Sequence, residues 1–301
     1  VSIIIVNYNT QKLTQACIES IINNTHNINF EIILIDNSST DGSQDFFQNF
    51  NNIIFIKSDK NLGFGKANNL GYNIAKGKYI FLLNSDTIIL NNAIKIFYDK
   101  MENLPNKVAF SGCLLLESDE NSIATSYGIF PKFEDIFSEL YSMYLAKFIN
   151  NTTKISKNES TLNEETFIVD YIIGADLFIR KNVIDQYGLF DPSFFMYYEE
   201  TELQYRYNKF GYESRIISGP KIIHLEPNLK TQTKKVYSTQ NRYIYFEGMF
   251  VYFKKRYNIF VYLIWRLLCL GYLPTIIKSK GNTVQKIKLL LLFFGIKTIK
   301  H

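Results

Sequence analysis

The segment Lys78–Ile88, KYIFLLNSDTI, constrains the fold of this 301-residue chain most strongly. Its apolar part, Tyr79–Leu83, is too short for a free-standing helix and is apolar on both faces, which predicts a strand buried between two layers of helices. The segment then ends on polar residues that include Asp86. Ligands of open α/β sheets bind beyond the carboxyl ends of the strands, so Asp86 stands where a ligand would bind. An Asx turn that caps the helix predicted near Asn91 explains the same carboxylate equally well.

Strands and helices alternate through the first third of the chain. Four further apolar segments predict buried strands: Val1–Tyr8, Phe30–Ile35, Ile53–Ile56 and Lys107–Leu116. A predicted helix follows each of the first three. This order implies βαβ units, right-handed crossovers and a mostly parallel central sheet flanked by helices. The sequence therefore predicts a Rossmann-like α/β fold.

The middle of the chain is less regular. Phe133–Phe148 has the spacing of an amphipathic helix, whereas Asn150–Glu165 is polar and is expected to be a mobile excursion. A long irregular insertion inside an α/β domain is more often functional than decorative. Regular structure is predicted to resume within Phe167–Arg180.

Acidic side chains follow a predicted strand and an aromatic segment. Asp36 ends the second strand, and Glu199, Glu200 and Glu202 open a helix directly after an aromatic run. Acids in a first helical turn complement the helix dipole, but three within four residues exceed that need. Carboxylates close to one another and to aromatic surface hold protons more tightly, which suits a general base. His224 ends another strand, where a lone histidine is more often structural than functional.

The segment NLGFGKANNLG, at residues 61–71, superficially resembles a dinucleotide-binding fingerprint. It contains Gly63 and Gly65, but it follows the third predicted strand rather than the first, and Asn68 replaces the third glycine. A dinucleotide-binding oxidoreductase is therefore a remote alternative. A glycine-rich turn before a helix still offers backbone N–H groups to a diphosphate.

The carboxyl-terminal region is basic and apolar. Residues 241–301 carry eleven Lys or Arg residues against one acid, a net charge of +10, whereas the preceding residues carry −5. A basic, apolar region that follows an acidic domain predicts association with an anionic membrane surface. Its apolar runs disfavour a nucleic-acid-binding arm. Ile259–Ile277 is about long enough to span a bilayer, but Arg266 and Pro274 favour helices lying in the interface.

The cysteines indicate a reducing compartment. They are far apart and lack the spacing of metal ligands: Cys17, Cys113 and Cys269. The chain opens directly on an apolar strand, so no signal peptide is expected there. A cytoplasmic location, peripheral to the inner face of the plasma membrane, is the resulting expectation.

Six motifs lie in order between residue 1 and about residue 224: VSIIIVNYNT, IDNSSTDGS, NLGFGKANNLG, LLNSDT, GADLFIR and FFMYYEETELQYR. Together they resemble family 2 glycosyltransferases of the GT-A fold, in the bacterial subgroup that includes rhamnosyltransferases building surface polysaccharides. The resemblance implies inverting, metal-dependent transfer from a nucleoside diphosphate sugar, dTDP-rhamnose or a UDP-hexose, to a saccharide acceptor that is expected to be lipid-linked. A non-catalytic nucleotide- or glycan-binding relative is an alternative, because fold does not ensure function.

The resemblance also implies a division of labour along the chain. Residues 1–240 would form the catalytic domain, with the nucleotide sugar bound by residues 1–116 and the acceptor bound by residues 117–240, which also hold the base. Residues 241–301 would form a helical membrane-associating region. No nucleic-acid partner is expected.

Individual residues acquire roles from the same resemblance. Tyr8 and Asn9 would line the nucleotide pocket, and Asp36 would accept a hydrogen bond from a pyrimidine imide. Further contacts to the nucleotide sugar are expected from residues of the glycine-rich loop and of the strand end: Asn61, Gly63, Asn69, Asn84 and Ser85. Asp86 and His224 would hold Mg²⁺ or Mn²⁺.

Three positions depart from the family pattern. Asn84 stands where the metal motif usually begins with an acid, so Asp86 alone carries charge there. Glu200 matches the catalytic base, but Asp is commoner at this position, and the neighbouring glutamates remain alternative bases. Asp176 stands where a small or apolar residue is usual, and it is expected to contact the acceptor.

Overall fold

The computed structural model describes residues 1–144, 165–225, 239–278 and 282–297. These residues form two compact units. The first unit contains residues 1–129, 165–195 and 199–225, and the second contains residues 130–144, 196–198, 239–278 and 282–297. The functional division at residue 240 stays a prediction, and the expected excursion at residues 150–164 lies outside the described residues.

Strands and helices alternate in the first unit as predicted. Among the described residues the strands are β1 (Ser2–Asn7), β2 (Glu31–Asp36), β3 (Ile54–Lys57), β4 (Tyr79–Asn84), β5 (Thr87–Ile89), β6 (Val108–Gly112), β7 (Tyr127–Gly128), β8 (Thr166–Val169), β9 (Tyr171–Ile172), β10 (Asp176–Arg180), β11 (Glu213–Ile217) and β12 (Ile222–His224). The helices are α1 (Gln11–Asn24), α2 (Ser43–Gln48), α3 (Phe64–Tyr72), α4 (Ala93–Asn103), α5 (Asp135–Tyr144), α6 (Lys181–Tyr187), α7 (Glu199–Asn208), α8 (Thr239–Arg256), α9 (Ile259–Leu268), α10 (Leu273–Lys278) and α11 (Thr283–Phe293), with a 3-10 helix at Cys269–Tyr272.

Within the described residues, eight strands form the central sheet of the first unit, in the order β3-β2-β1-β4-β10-β6-β11-β8. The half from β3 to β4 is parallel, as the βαβ pattern predicts, and β6 and β11 are also parallel. Strands β10 and β8 run antiparallel to their neighbours. These two strands follow the irregular middle of the chain rather than a single crossover helix, which explains why the second half of the sheet is mixed.

Strand β4 lies at the centre of this sheet and confirms the predicted buried strand. The side chains of residues 79–82 have no exposed surface. Alternate side chains enter two different cores: Phe81 packs against Phe97 of α4 on one face, and Leu82 joins the core that contains Leu203 of α7 on the other. Burial on both faces explains why the segment is continuously apolar.

The strand predicted at Lys107–Leu116 is shorter than expected. Strand β6 ends at Gly112. The next backbone N–H, that of Cys113, donates to Oδ2 of Asp176 at 2.7 Å. This side-chain acceptor replaces a strand neighbour, so the sheet pairing stops there.

The second unit is built mainly from helices around an aromatic core. Helix α5 begins at Asp135, within the range predicted at Phe133–Phe148, and residues 145–148 lie outside the described residues. Trp265 of α9 stacks on Phe253 of α8 with ring centroids 3.8 Å apart. Among the described residues, no helix has both the length and the apolarity that crossing a membrane requires.

Candidate active site

The carboxyl ends of β1, β2 and β4 meet at one edge of the central sheet. Asn7 at the end of β1 lies opposite Asp36 of β2, and Val6 lies opposite Asn84 of β4. Side chains also link these ends, because Oγ of Ser85 is 3.2 Å from the hydroxyl of Thr10, which follows β1. This edge therefore brings together several of the residues that the sequence marked as candidates.

Asp36 is a fully buried carboxylate with three donors. Its Oδ2 accepts a hydrogen bond from Nδ2 of Asn7 at 2.7 Å, and its Oδ1 accepts the N–H of Ser39 and Nε2 of Gln44, both at 2.9 Å. These bonds compensate for removing the charge from water. Asp36 thereby fixes the loop after β2 against β1, and its contact with a pyrimidine imide stays a prediction.

Asn7 organises the site although the sequence did not single it out. Its Oδ1 accepts the hydroxyls of Thr10 and Thr14, both at 2.8 Å, while its amide group donates to Asp36. The only sequence signal for Asn7 is its position, because it is a polar residue at the end of a buried strand. Asn7 therefore positions the start of α1 beside the candidate nucleotide pocket.

Tyr8 and Asn9 are exposed and follow β1 directly. The Tyr8 side chain is 48% exposed, which leaves its ring accessible for stacking on a base. Asn9 has a φ of +56°, a conformation that asparagine tolerates better than most residues. Its Oδ1 accepts the N–H of Thr40 at 2.7 Å, and its own N–H donates to Oγ of Ser39 at 3.0 Å. Asn9 thus joins the loops that follow β1 and β2.

The glycine-rich loop before α3 packs closely against the chain near Phe195. Oδ1 of Asn61 accepts the side-chain amide of Asn37 and the N–H of Gly63, both at 2.9 Å. Gly63 has a φ of +80°, and a β carbon at this position would lie 2.0 Å from the carbonyl oxygen of Phe195. That carbonyl accepts the N–H of Phe64 at 2.9 Å. The loop therefore requires glycine at position 63 for its φ angle and for this close approach.

Asn69, also predicted to contact the nucleotide sugar, has a structural contact. Its Nδ2 donates to the carbonyl oxygen of Phe190 at 2.8 Å, and its Oδ1 accepts the N–H of Phe190 at 3.1 Å. Both ends of the amide are used, so Asn69 joins α3 to the loop after α6. Its role toward the donor stays a prediction.

Asp86 and His224 lie next to each other where β5 pairs with β12. His224 lies opposite Thr87 in this pairing. Nε2 of His224 is 3.3 Å from Oδ1 of Asp86 and 3.5 Å from Nδ2 of Asn84. The hydroxyl of Thr87 donates to the carbonyl oxygen of Asn84 at 2.8 Å, so a backbone acceptor holds this turn. The role of Asp86, as a metal ligand or as a turn-forming residue, stays a prediction.

The Asp86–His224 pair fits a divalent cation that takes its remaining ligands from a substrate. Carboxylate oxygen and imidazole nitrogen suit Mn²⁺, and Mg²⁺ usually combines one or two carboxylates with phosphate oxygens and water. In the part of the chain that the structure describes, no cluster of three or more His, Cys, Asp or Glu side chains is arranged to hold a metal alone. A bound diphosphate would have to complete such a site.

Two of the three glutamates at the start of α7 are poorly suited to accept a proton from a substrate. Glu202 forms an ion pair with Arg206 at 3.1 Å, and Arg206 also donates to the carbonyl oxygen of Leu189 at 2.6 Å. Glu202 is therefore part of a structural network. Glu199 has only 3% of its surface exposed, so its carboxylate is out of reach of a substrate in this conformation, although burial together with the charge of Glu200 raises its pKa well above the usual value.

Glu200 combines partial exposure with raised proton affinity. Burial raises its pKa, while its own backbone N–H and that of Thr201 act in the opposite direction. Its Cβ lies 4.0 Å from the point that a β carbon on Gly174 would occupy. The carbonyl oxygen of Ala175, the residue after Gly174, accepts a hydrogen bond from the N–H of Asn84 at 3.0 Å. Glu200 therefore lies beside the segment that contacts the polar end of β4.

Asp176 lies inside the first unit, opposite Leu83 of β4. Its side chain has no exposed surface, and burial raises its pKa to about 7. Oδ2 accepts the N–H of Cys113, whereas Oδ1 has no hydrogen-bond partner among the described residues. The expectation that Asp176 contacts the acceptor is not supported, because a side chain without exposed surface cannot touch a ligand in this conformation.

The buried Asp176 carboxyl predicts a pH-dependent stability. The folded protein keeps the proton up to about pH 7, whereas the unfolded chain loses it near pH 4. The contribution of this group to the free energy of unfolding therefore falls as pH rises between these values. Asparagine cannot ionise, so Asp176→Asn removes that loss. The free energy of unfolding of the variant, relative to that of wild type, should rise by up to about 4 kcal/mol between about pH 4 and pH 8. Urea denaturation at both pH values measures the change, and a difference independent of pH would contradict it.

The α/β fold, with its large central sheet flanked by helices, is that of the GT-A glycosyltransferases. The model of the family described as glycosyl transferase family 2 matches residues 2–188, which is more than half of the chain. The chain therefore belongs to glycosyl transferase family 2.

Curated relatives agree with this family. Glycosyltransferase GlyG of Streptococcus pneumoniae serotype 4 is 34% identical over 106 residues, covering 34% of this chain and 35% of the relative. The Escherichia coli UDP-Glc:alpha-D-GlcNAc-diphosphoundecaprenol beta-1,3-glucosyltransferase WfaP is 39% identical over 37% of this chain and 44% of its own. The N-acetylglucosaminyl-diphospho-decaprenol L-rhamnosyltransferase of Mycobacterium tuberculosis is 24% identical over 64% of this chain and 66% of its own. The chain matches about a third of the length of GlyG.

Solved structures share the fold. GalNAc-T7, crystallised with UDP, GalNAc and Mn²⁺, superposes with a TM-score of 0.56 and 15% identity, covering 81% of this chain and 47% of the other. Residues 1–349 of Staphylococcus aureus TarS superpose with a TM-score of 0.52 and 13% identity, covering 97% of this chain and 70% of the other. At such low identities these similarities concern the fold alone.

Proposed function

We propose that this protein is an inverting, metal-dependent glycosyltransferase that uses a nucleoside diphosphate sugar as donor. One observation carries the proposal: Glu200 lies beside Gly174, and the carbonyl oxygen of the next residue, Ala175, accepts the N–H of Asn84, two residues before Asp86. This link supports a base-like carboxylate and a cation site that act on the same substrate. Sugar transfer needs these two functions, one for the acceptor hydroxyl and one for the departing diphosphate.

Glu200 is the residue that we assign as general base. It would take the proton of the acceptor hydroxyl while that oxygen attacks the anomeric carbon opposite the leaving diphosphate. Attack from the face opposite the leaving group inverts the anomeric configuration. A pKa raised by burial makes Glu200 a stronger proton acceptor than an exposed glutamate.

Asp86 and His224 are the residues that would hold Mg²⁺ or Mn²⁺. Such a cation, when bound, neutralises charge on the phosphate oxygens of the leaving group. Asn84 lies within 3.5 Å of His224 and adds no charge, so Asp86 supplies the negative charge of the pair. Tyr8, with its exposed ring, would stack on the nucleotide base.

Asp86→Asn is expected to weaken donor binding in the presence of Mn²⁺ by about tenfold or more, because the variant keeps the size of the side chain but loses its charge. Isothermal titration of UDP and dTDP with Mn²⁺ and with EDTA measures the effect. Asp99→Asn, which removes an exposed carboxylate paired with Lys95 on α4, is the matched control. An Asp86→Asn variant with unchanged Mn²⁺-dependent binding would refute the assignment.

The relatives support the proposed donors and acceptor. WfaP uses UDP-Glc, and the Mycobacterium tuberculosis relative is an L-rhamnosyltransferase, as their names state. Both names give a saccharide linked through diphosphate to a polyprenol as the acceptor. We therefore propose a UDP-hexose or dTDP-rhamnose donor, a lipid-linked saccharide acceptor and a role in bacterial surface polysaccharide synthesis.

A lipid-linked acceptor also gives a reason for the basic carboxyl-terminal region. We propose that residues 241–301, with their net charge of +10, hold the enzyme at the inner face of the plasma membrane. A non-catalytic relative is the competing function. The family assignment removes the oxidoreductase alternative that the glycine-rich loop suggested.

A thermal-shift screen of nucleotide sugars with Mn²⁺ tests the proposal and identifies the donor. We expect a UDP-sugar or a dTDP-sugar to raise the melting temperature, and to do so less after EDTA treatment. A donor found in this way should release its nucleoside diphosphate when acceptor is added. Binding without any release, across a panel of acceptors, would favour the non-catalytic alternative.

A further inference from the structure

Helix α9 in the second unit buries Tyr262 and Trp265 and exposes a set of apolar side chains on another side. Tyr262 is 6% exposed and Trp265 is 2% exposed. The Trp265 ring stacks on Phe253, and it meets Phe250 edge to face at a centroid distance of 6.0 Å. These rings fix α9 on α8 and decide which side of α9 is turned outward.

The outward side of α9 is an uninterrupted apolar surface, which we call the α9 outer face. Its members recur at helical spacing and are each more than half exposed: Ile259 (54%), Phe260 (76%), Leu263 (53%), Ile264 (57%) and Leu267 (66%). Single exposed apolar residues are ordinary, but a contiguous apolar surface on a helix marks a surface that contacts an apolar partner.

Arg266, the one charged residue of α9, does not interrupt this face. Its Nε donates to the carbonyl oxygen of Phe293 at 3.2 Å, and a second nitrogen donates to the carbonyl oxygen of Leu292, at the carboxyl end of α11. Its guanidinium carbon lies 4.5 Å from the ring centroid of Phe250. The charge is thus held at the end of another helix, where it complements the helix dipole.

Positive charge surrounds α9 in sequence. Helix α8 ends with Lys254, Lys255 and Arg256, and the two lysines are exposed. Only two residues separate this basic end from α9, and the whole region 241–301 carries a net charge of +10. An apolar surface next to concentrated positive charge complements a bilayer interface that contains anionic lipid.

We propose that the α9 outer face inserts into the interfacial layer of an anionic membrane, with α9 lying along the membrane plane. The helix has ten residues and is therefore about 15 Å long, half the thickness of a bilayer core. Its outer face would enter the acyl boundary while the basic end of α8 contacts lipid headgroups. The proposal rests on and deepens the proposed function, in which the acceptor is lipid-linked, but the tests of the two are separate.

Vesicle flotation with the full chain tests the proposal. The vesicles contain phosphatidylcholine with either no anionic lipid or about 30% phosphatidylglycerol. We expect binding to the anionic vesicles, weaker binding at high salt, and a loss of about tenfold or more in the partition coefficient for Phe260→Gln/Leu267→Gln. The matched control is Ile129→Gln/Ile168→Gln, which changes two side chains of the first unit that are 71% and 59% exposed. This control should bind like wild type.

Two readouts separate loss of lipid binding from other effects. Trp265 is the only tryptophan of the chain and is buried against α8, so an unchanged emission spectrum shows that the second unit of the variant is folded. Nucleotide binding, measured without lipid, reports on the first unit and on the proposed function independently.

Three results would overturn the proposal. One is flotation of a folded Phe260→Gln/Leu267→Gln variant at the wild-type level. Another is equal binding to neutral and anionic vesicles, which removes the role of charge. The third is a change of oligomeric state in this variant without lipid while vesicle binding persists, which would identify the α9 outer face as an interface between copies of the chain.

Discussion

Glu200→Gln is expected to lower the rate of sugar transfer by about 10²- to 10⁴-fold while leaving donor binding nearly unchanged. The substitution keeps the shape of the side chain and removes its ability to accept a proton. Glu200 lies beside the segment that contacts the end of β4, and it is partly exposed, so it is the glutamate of this cluster that a substrate can reach. Single-turnover transfer and calorimetric donor binding measure the two effects separately.

The neighbouring glutamates provide the controls for this experiment. Glu202→Gln breaks the ion pair with Arg206, so we expect it to reduce stability more than it reduces the rate of the chemical step. Wild-type activity should rise with pH along a limb whose midpoint lies above the ordinary pKa of glutamate, because burial raises the pKa of Glu200 and the base must be deprotonated. A Glu200→Gln variant with near-normal turnover, or a collapse confined to Glu199→Gln, would transfer the base to another residue.

Gly63→Ala should destabilise the protein by about 3 kcal/mol or more and abolish donor binding. The new β carbon would meet the carbonyl oxygen of Phe195 at 2.0 Å, and φ at this position is +80°. Relief of the clash requires the loop before α3 to move, which breaks the bond from the N–H of Phe64 to the same carbonyl. Urea denaturation and calorimetric titration with UDP or dTDP measure the two losses.

Gly211→Ala separates the clash from the backbone conformation. Gly211 has a φ of +85°, but a β carbon there meets no atom within 4 Å. We expect it to cost only about 1 kcal/mol, from the strained φ angle alone, and to leave donor binding intact. Equal losses of stability in the two variants would show that the approach of Phe195 to the glycine-rich loop is unimportant.

Features set by local sequence could be predicted. The continuous apolar run of β4 defined a strand buried on both faces, and the residues that follow it lie at a carboxyl edge of the sheet. The ion pair between Glu202 and Arg206 was also accessible, because the two residues are four positions apart, which is the spacing of an ion pair on a helix.

Features that depend on long-range packing could not be predicted. The contact between Asn69 and Phe190 joins segments 121 residues apart, and no local pattern indicates it. The burial of Asp176 depends on its place between two strands that lie far away in sequence. Arg266 seemed to interrupt an apolar segment, but its guanidinium is held at the carboxyl end of α11, which only the packing of the helices determines.

The anomeric configuration of the product shows whether the enzyme transfers sugar with inversion. The full chain is incubated with Mn²⁺, a UDP-hexose or dTDP-rhamnose, and a polyprenyl diphosphate-linked saccharide, and the new linkage is analysed by proton NMR. We expect a transferred sugar with inverted configuration and no transfer in EDTA. A product with retained configuration, or full transfer in EDTA, would contradict it.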